Sequence, residues 1–555
     1  MKLIGKRKVY MTGKHLFRIT AILLPLIFTV TQGQNISTKA LNYQYMPIEN
    51  GIPTDTLSSL EIISAVDESE TAALNIHANE KIGKCSISIG AFKSANGKRT
   101  LNSSLFNLAI AEFVPLDSSG KERTALRVLS LRDTSIEKGK NLCCYITFRS
   151  ENLSDSGVYY GKIEVKADKI KHSIKMRINV LPFRLLMPDN MRFIICVRGG
   201  IKSREFLKLI KKTGFDGFEL YVNKPSGFAI ESDKGKQVVK LGSIDTVMRD
   251  ATAAGMRGPM FVMLGNDRMA HIEDRICGAF PQFKMTTSPK IGGKQKKYGP
   301  IGVPEFDSLY LDAFAVLKNG IEKYGIEMVP VIFDEVMERF FPELPARDAL
   351  IRSRFPKIRM SNTAQGDFQW TREVAPYSEV IISNSELEPT AFLCRKTGKS
   401  FWINTFIGSG YAPGKARGYF GMRHWKYSPE ALVLWSADCY GKNPWIDYDD
   451  DFKESKESLL FPPREGTNGY PTESPAWYGV REGIDDLAYV TMLEKLAVKH
   501  NKSADYPIND MKHAIGDYEF HDTHEGFHKD YSAMDSVRCV AARGIVELLK
   551  LEKKR

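Results

Sequence analysis

The stretch Met328-Val329-Pro330-Val331-Ile332-Phe333-Asp334-Glu335 decides how this chain folds. Its first six residues are apolar and partly β-branched, the pattern of a short strand buried on both faces. Two neighbouring acids at the exit of such a strand have no packing role, because carboxylates are seldom buried without partners. Strands buried on both faces belong to parallel sheets covered by helices. In a closed β/α barrel, the carboxyl end of each strand is where reactive groups are displayed.

Outward from that stretch the same pattern repeats. Strands are expected at Phe193–Val197, Gly217–Val222, Pro259–Leu264, Met328–Phe333, Lys357–Asn362, Val380–Asn384, Ser400–Thr405 and Ala431–Ser436. Helical or turn-rich segments separate them, among them Ser203–Thr213, Ile244–Ala254 and Phe306–Tyr324. Eight strands in this alternation, with no glycine fingerprint opening the first helix, favour a (β/α)8 TIM-type barrel over an open doubly wound sheet. Arg481–Lys499 reads as the last barrel helix, with Arg481, Asp485 and Asp486 in a structural role in its first turn, where acids suit the helix dipole. The Gly-, Lys- and Pro-rich excursion from Gly265 to Val303 reads as a long loop on the catalytic face.

The chain before the barrel has a different period. Cys85–Ile89, Leu142–Phe148, Val158–Val165 and Ser173–Val180 are short runs of strand character, the last alternating cleanly, and Gly, Asn, Ser and Asp punctuate them. An N-terminal all-β sandwich is expected over residues 34–187, the barrel over 188–505 and a C-terminal helical extension over 506–555. The mixed α/β class follows.

Residues 1–33 resemble a secretory signal. Lys2, Lys6, Arg7, Lys8, Lys14 and Arg18 precede the apolar core Ile19–Val30, which is short for a membrane span, and Thr31-Gln32-Gly33 suits cleavage. The expected destination is outside the cytoplasm: periplasmic, cell-surface or secreted, with no integral membrane segment after removal. Loss of those six cations takes the formal charge from +12 to +6, which gives no support to a nucleic-acid partner. The eight cysteines show no CxxC pair and no zinc spacing, and Cys196 and Cys439 sit in apolar runs like buried free thiols. No metal and no cofactor are implied.

Asp334 and Glu335 carry the chemistry. Retaining glycosidases with a protein nucleophile need carboxyl groups roughly 5–5.5 Å apart across the sugar, and inverting enzymes roughly 6.5–9.5 Å, which adjacent residues serve poorly. A 2-acetamido sugar removes the difficulty by supplying its own carbonyl oxygen as nucleophile. Glu335 then protonates the leaving oxygen and Asp334 holds the amide N–H. The competing reading is local: Asp334 caps the following turn and Glu335 pairs with Arg339.

The apolar strand ending in Asp334-Glu335 resembles that of family 123 glycoside hydrolases. Tyr470-Pro471-Thr472-Glu473-Ser474-Pro475 and Val480-Arg481-Glu482-Gly483-Ile484-Asp485-Asp486-Leu487-Ala488-Tyr489 are similar to that family's closing barrel motif. Across residues 190–500 the resemblance implies a β-sandwich before a catalytic barrel and a β-N-acetylgalactosaminidase activity. Asp334 would stabilise the acetamido group and Glu335 would be the acid/base.

Substrate-binding candidates come from residue chemistry at strand ends. Trp402, Trp435 and Tyr440 offer aromatic faces for sugar rings, or ordinary barrel packing, which better suits Trp402 at the start of its strand. Asn384 and Asn404 offer amides to hydroxyls, or turn formation. Arg198 binds hydroxyls or holds a loop by a salt bridge. Trp370 and Tyr411 are loop aromatics suited to outer subsites, and His271 and His424 have no visible partner. A glycan partner follows from the carboxylate pair. The alternatives are a barrel that binds glycan without turnover, and a hydrolase or lyase of another polysaccharide.

Overall fold

The computed structural model describes residues 36–552 apart from 55, 116–121, 129–133, 152, 154, 188–190, 198–202, 223–227, 266–269, 289–295, 335–342, 365–367, 439–444, 446–457, 465–468, 507, 510–511 and 513–530. The signal-like segment and Cys439 lie outside the described residues.

Eight parallel strands close a barrel: β1 (Arg192–Cys196), β2 (Gly217–Tyr221), β3 (Met260–Met263), β4 (Met328–Val331), β5 (Ser361–Ala364), β6 (Val380–Ser383), β7 (Ser400–Phe406) and β8 (Ala431–Trp435). Closure is made by β1 against β8, with Arg192 opposite Ala431 and Ile195 opposite Leu434. Ile194, Phe261, Met263, Val329, Val331, Val380, Ile382, Trp402, Ala431 and Val433 fill the interior. This is the packed plug that the (β/α)8 reading requires.

Seven of the expected strands fall where the apolar runs place them, and one differs. The fifth runs Ser361–Ala364, with only Ser361 and Asn362 inside the expected span. The preceding Arg359 is turned to ion pairs with Glu430 at 2.8 Å and Glu327 at 3.3 Å instead. The strand itself reads polar, which hides it from a search for apolar runs.

The helices around the barrel are α1 (Arg204–Thr213), α2 (Ile244–Ala253), α3 (Pro304–Glu322), α4 (Leu344–Arg354), α5 (Phe368–Val374), α6 (Leu387–Thr397), α7 (Pro413–Gly418) and α8 (Pro475–Lys499), with α9 (Ser532–Glu552) after them. α8 starts six residues before the expected Arg481, because Ser474 accepts a hydrogen bond from the Trp477 N–H and Pro475 supplies a preset first turn. Arg481, Asp485 and Asp486 therefore lie in the body of the helix and not at its dipole end. Trp370, expected in a loop, is in α5. The Gly265–Val303 excursion is also more ordered than a loop: it holds a helix, His271–Ala279, and a ribbon pairing Thr286–Thr287 with Lys297–Tyr298. Glu273 of that helix is 1% exposed and forks onto Arg347 of α4, at 2.7 Å to Nε and 2.8 Å to Nη2. A bidentate buried pair of this kind fixes the excursion against the barrel.

Ahead of the barrel stand two sheets. One orders Thr56–Leu57, Ile36–Leu41, Ser69–Ala78, Asn141–Arg149, Phe106–Pro115 and Glu122–Val128. The other orders Thr134–Ile136, Ile82–Ile89, Gly157–Ala167, Ile170–Arg184 and Leu60–Val66, with two short strands, Phe92–Ser94 and Thr100–Leu101, attached to it. Cys144, Ile146 and Phe148 point into the core between the sheets, whereas Cys143 and Tyr145 belong to the core shared with the barrel. The first sheet is thus covered on both faces, which is why Asn141–Arg149 is buried almost throughout. Tyr145 meets Tyr478 of α8 at 5.9 Å between ring centroids across that joint. The seven described cysteines are free thiols, Cys196 among them. Among the described residues no helix is long and apolar enough to cross a membrane.

Candidate active site

A barrel of this kind presents one face built from the ends of its strands. Inward parity, set by the plug residues, carries from Ile382 to Asn384 at the exit of β6, from Trp402 to Asn404 in β7, and from Val433 to Trp435 at the end of β8. Trp435 meets the ring of Tyr221 edge-on at 6.5 Å, and the two form an aromatic floor above the plug. Asn384, Asn404 and Trp435 are all partly buried. Asn404 Oδ1 is a buried acceptor with no hydrogen-bond partner among the described residues. An acceptor in that state is costly unless something that visits the site donates to it.

Asp334 lies at the exit of β4, partly buried, and the Thr363 hydroxyl donates to its Oδ1 at 2.6 Å. The backbone just before Asp334 is held by β5. The Ile332 N–H donates to the Ser361 carbonyl at 3.1 Å, the Phe333 N–H to Asn362 Oδ1 at 3.2 Å, and the Thr363 N–H to the Phe333 carbonyl at 3.3 Å. Asn362 in turn donates to Ser378 Oγ at 3.0 Å. Two cations cover the Phe333 ring: Lys296 Nζ at 3.8 Å and the Arg347 guanidinium at 5.3 Å from its centroid. The excursion after β3 therefore reaches the residue beside Asp334.

Asp334, Asn384, Asn404 and Trp435 lie toward the carboxyl ends of β4, β6, β7 and β8. Trp402 does not: it is fully buried in the plug, 6.1 Å from the Phe261 ring, so its face is taken by packing and not offered to substrate. Glu335, Arg198 and Tyr440 lie outside the described residues. Tyr411 packs edge-on against Phe406 at 5.6 Å and under Lys415 at 3.8 Å. His424 opens a short helix, His424–Tyr427, and lies beside Phe193, and His271 opens the helix of the excursion; burial holds both imidazoles down, to about 4.

Thr363, Asn362 and Arg423 are site residues that the sequence reading missed. Arg423 is 4% exposed and brackets two strand exits, donating to Thr405 Oγ1 at 3.1 Å and to the Asn384 carbonyl at 3.4 Å. The available signal was the run Ser361-Asn362-Thr363, three polar residues inside a barrel strand.

A second concentration of charge lies elsewhere. Glu68, Glu70 and Asp485 bring carboxylate oxygens within 4.8 Å of one another where the sandwich meets α8. Arg538 of α9 reaches Glu482 at 2.9 Å and also pairs with Glu70 and Asp486, and Arg417 donates to Asp486 at 2.6 Å. Burial raises the carboxyl pKa of Glu70 and Asp485 well above the usual range, whereas Arg538 and Arg481 keep Glu482 ionised against the cost of its burial. Arginines and retained protons thus balance the cluster. A cavity of about 340 Å³ opens beside it, lined by Glu68, Arg149, Lys212, Glu473, Tyr478 and Arg481, none of which comes from the exit of a barrel strand.

The fold is shared with a solved structure. The chain superposes on a family 123 glycoside hydrolase from Clostridium perfringens with a TM-score of 0.67, at 13% identity, covering 94% of this chain and 98% of that one. An endo-β-1,4-mannanase from Thermotoga petrophila matches with a TM-score of 0.36 at 10% identity, covering 54% of this chain and 77% of that one. A GH10 xylanase with a bacterial Ig-like domain, from termite gut, matches with a TM-score of 0.34 at 11% identity, covering 78% of this chain and 100% of that one. No family model and no curated protein matches the sequence.

Proposed function

From the fold shared with the family 123 enzyme, and from Asp334 at the exit of β4, we propose that this chain is an exported glycoside hydrolase. Its substrate is a glycan bearing β-linked N-acetylhexosamine, N-acetylgalactosamine favoured. The observation that carries the reading is the placement of Asp334, buried on one side, tied to Thr363 and followed at once by Glu335.

The chemistry follows from that adjacency. The acetamido carbonyl oxygen attacks the anomeric carbon as the glycosidic C–O bond breaks, and the leaving oxygen takes the proton of Glu335. The oxazolinium ion so formed keeps its N–H on the Asp334 carboxylate, which offsets the developing positive charge. Water then attacks the anomeric carbon from the face the leaving group vacated, returning a proton to Glu335 and restoring the acetamido group. Two inversions give retention. Trp435 and Tyr221 supply the aromatic surface for the ring, and Asn384 and Asn404 the polar contacts.

The test is release of chromophore from aryl N-acetyl-β-galactosaminide and N-acetyl-β-glucosaminide by the wild type, Glu335→Gln and Asp334→Asn. Rate losses of about 10²-fold or more are expected for each variant. A thiazoline mimic of the oxazolinium ion should inhibit. Equal rates in all three proteins would defeat the reading, and glycan binding without cleavage would leave a non-catalytic binding barrel in its place.

A further inference from the structure

We propose that Thr363 is a positioning residue for Asp334: its hydroxyl fixes the carboxylate in the orientation that receives the substrate amide. The inference rests on the functional reading above, in which Asp334 holds the acetamido N–H.

The geometry behind it is a run of three buried polar residues in a barrel strand. Ser361 and Asn362 are fully buried and Thr363 is 6% exposed, in positions where a barrel wall ordinarily carries apolar side chains. Buried hydroxyls and amides cost stability unless each finds a partner. Here they find partners in the strand exit ahead of the acid and in the wall behind it. The Ser361 hydroxyl donates to the Pro330 carbonyl at 3.2 Å, Asn362 takes the Phe333 N–H, and Thr363 takes Asp334 itself.

Asn362 is anchored from the other side by Ser378, whose hydroxyl reaches the Val374 carbonyl at 3.1 Å. The hydroxyl of Thr363 is thus delivered from a braced strand. Thr363 is β-branched, so its side-chain rotation is restricted and its hydroxyl direction is set by the backbone.

A carboxylate side chain can turn about two bonds. A 2.6 Å hydrogen bond to one oxygen removes that freedom before substrate arrives, and the reorganisation is not repeated in the transition state. The contribution falls where charge develops on the oxazolinium nitrogen, so it belongs to turnover more than to ground-state binding.

Three variants test this with the aryl N-acetyl-β-hexosaminide assay: Thr363→Val, Thr363→Ser and Asp334→Asn. Thr363→Val keeps the volume and removes the hydroxyl; kcat should fall about 10- to 100-fold with KM within about 3-fold. Thr363→Ser restores the donor and should return kcat to within about 3-fold of wild type. If Thr363→Val leaves kcat unchanged while Asp334→Asn abolishes it, the positioning role fails and the functional reading stands. If Asp334→Asn is also fully active, the functional reading fails. A loss in Thr363→Val that Thr363→Ser does not rescue, together with a lowered Tm in both, would mean a merely structural role and overturn the proposal.

Discussion

Tyr489 of α8 donates its hydroxyl to Glu68 Oε2 at 2.7 Å, joining the barrel's last helix to a residue 421 positions earlier in the sandwich. Around this bond Arg538 from α9 pairs with Glu70 of the sandwich and with Glu482 and Asp486 of α8. The three parts of the chain share one set of buried charges. Replacing Arg538 with Met should cost about 3–5 kcal/mol, because several carboxylates lose their cation without gaining water. Denaturant unfolding followed by near-UV and far-UV signals should show both moving together; loss confined to the helical signal would disprove the shared lock.

Asn404 should behave in the opposite way. Its Oδ1 is buried and has no partner among the described residues, so removing it leaves no bond broken in the free protein. Asn404→Leu is expected to keep or raise Tm and to raise KM about 10-fold, the value of one hydrogen bond to substrate. An unchanged KM would take Asn404 out of the sugar site.

Trp402 is a matter of packing. It fills the plug against Phe261 with no exposed surface, and Trp402→Ala should cost about 3–5 kcal/mol. Trp402→Phe keeps most of the contact and should leave KM near the wild-type value. A large rise in KM in the Phe variant at unchanged Tm would return Trp402 to the list of sugar-binding aromatics.

His424 predicts an acid-sensitive fold. Burial lowers its pKa from 6.5 to about 4, and neither ring nitrogen reaches a partner on another described residue. The native state then binds fewer protons than the unfolded chain between those values. Stability is therefore full above the unfolded pKa and is lost as pH falls toward the folded one, by about 2 kcal/mol between pH 7 and pH 5. His424→Leu should flatten that part of the pH–stability profile, measured by denaturant midpoints at the two pH values. An equally steep profile in the variant would assign the acid sensitivity to other groups.

How much of this was legible depended on what each residue packs against. Seven barrel strands could be read because their apolar runs are bounded by turns, and a strand buried on both faces has no other signature. The fifth reads four residues early at its start, Lys357 for Ser361, since Ser361, Asn362 and Thr363 turn their polarity to the end of β4, a partner 29 residues away from Thr363. Position at a strand end singled out Asn404 and Trp435, but only the depth of the plug separates Trp402 from them. The start of α8 was written in Ser474-Pro475, a cap signal outweighed by the later apolar spacing. Glu68, Glu70 and Arg538 carry no local signal, for their pairing is made by the docking of three segments far apart in the chain.

That docking also sets an order of events during synthesis. The sandwich can close its own apolar core as soon as its last strand, ending at Arg184, has left the ribosome. Its barrel-facing sheet then waits until Tyr489 of α8 reaches Glu68 and Arg538 of α9 reaches Glu70. A truncation that removes only α9 would therefore be felt 468 residues upstream of Arg538, at Glu70 of the sandwich.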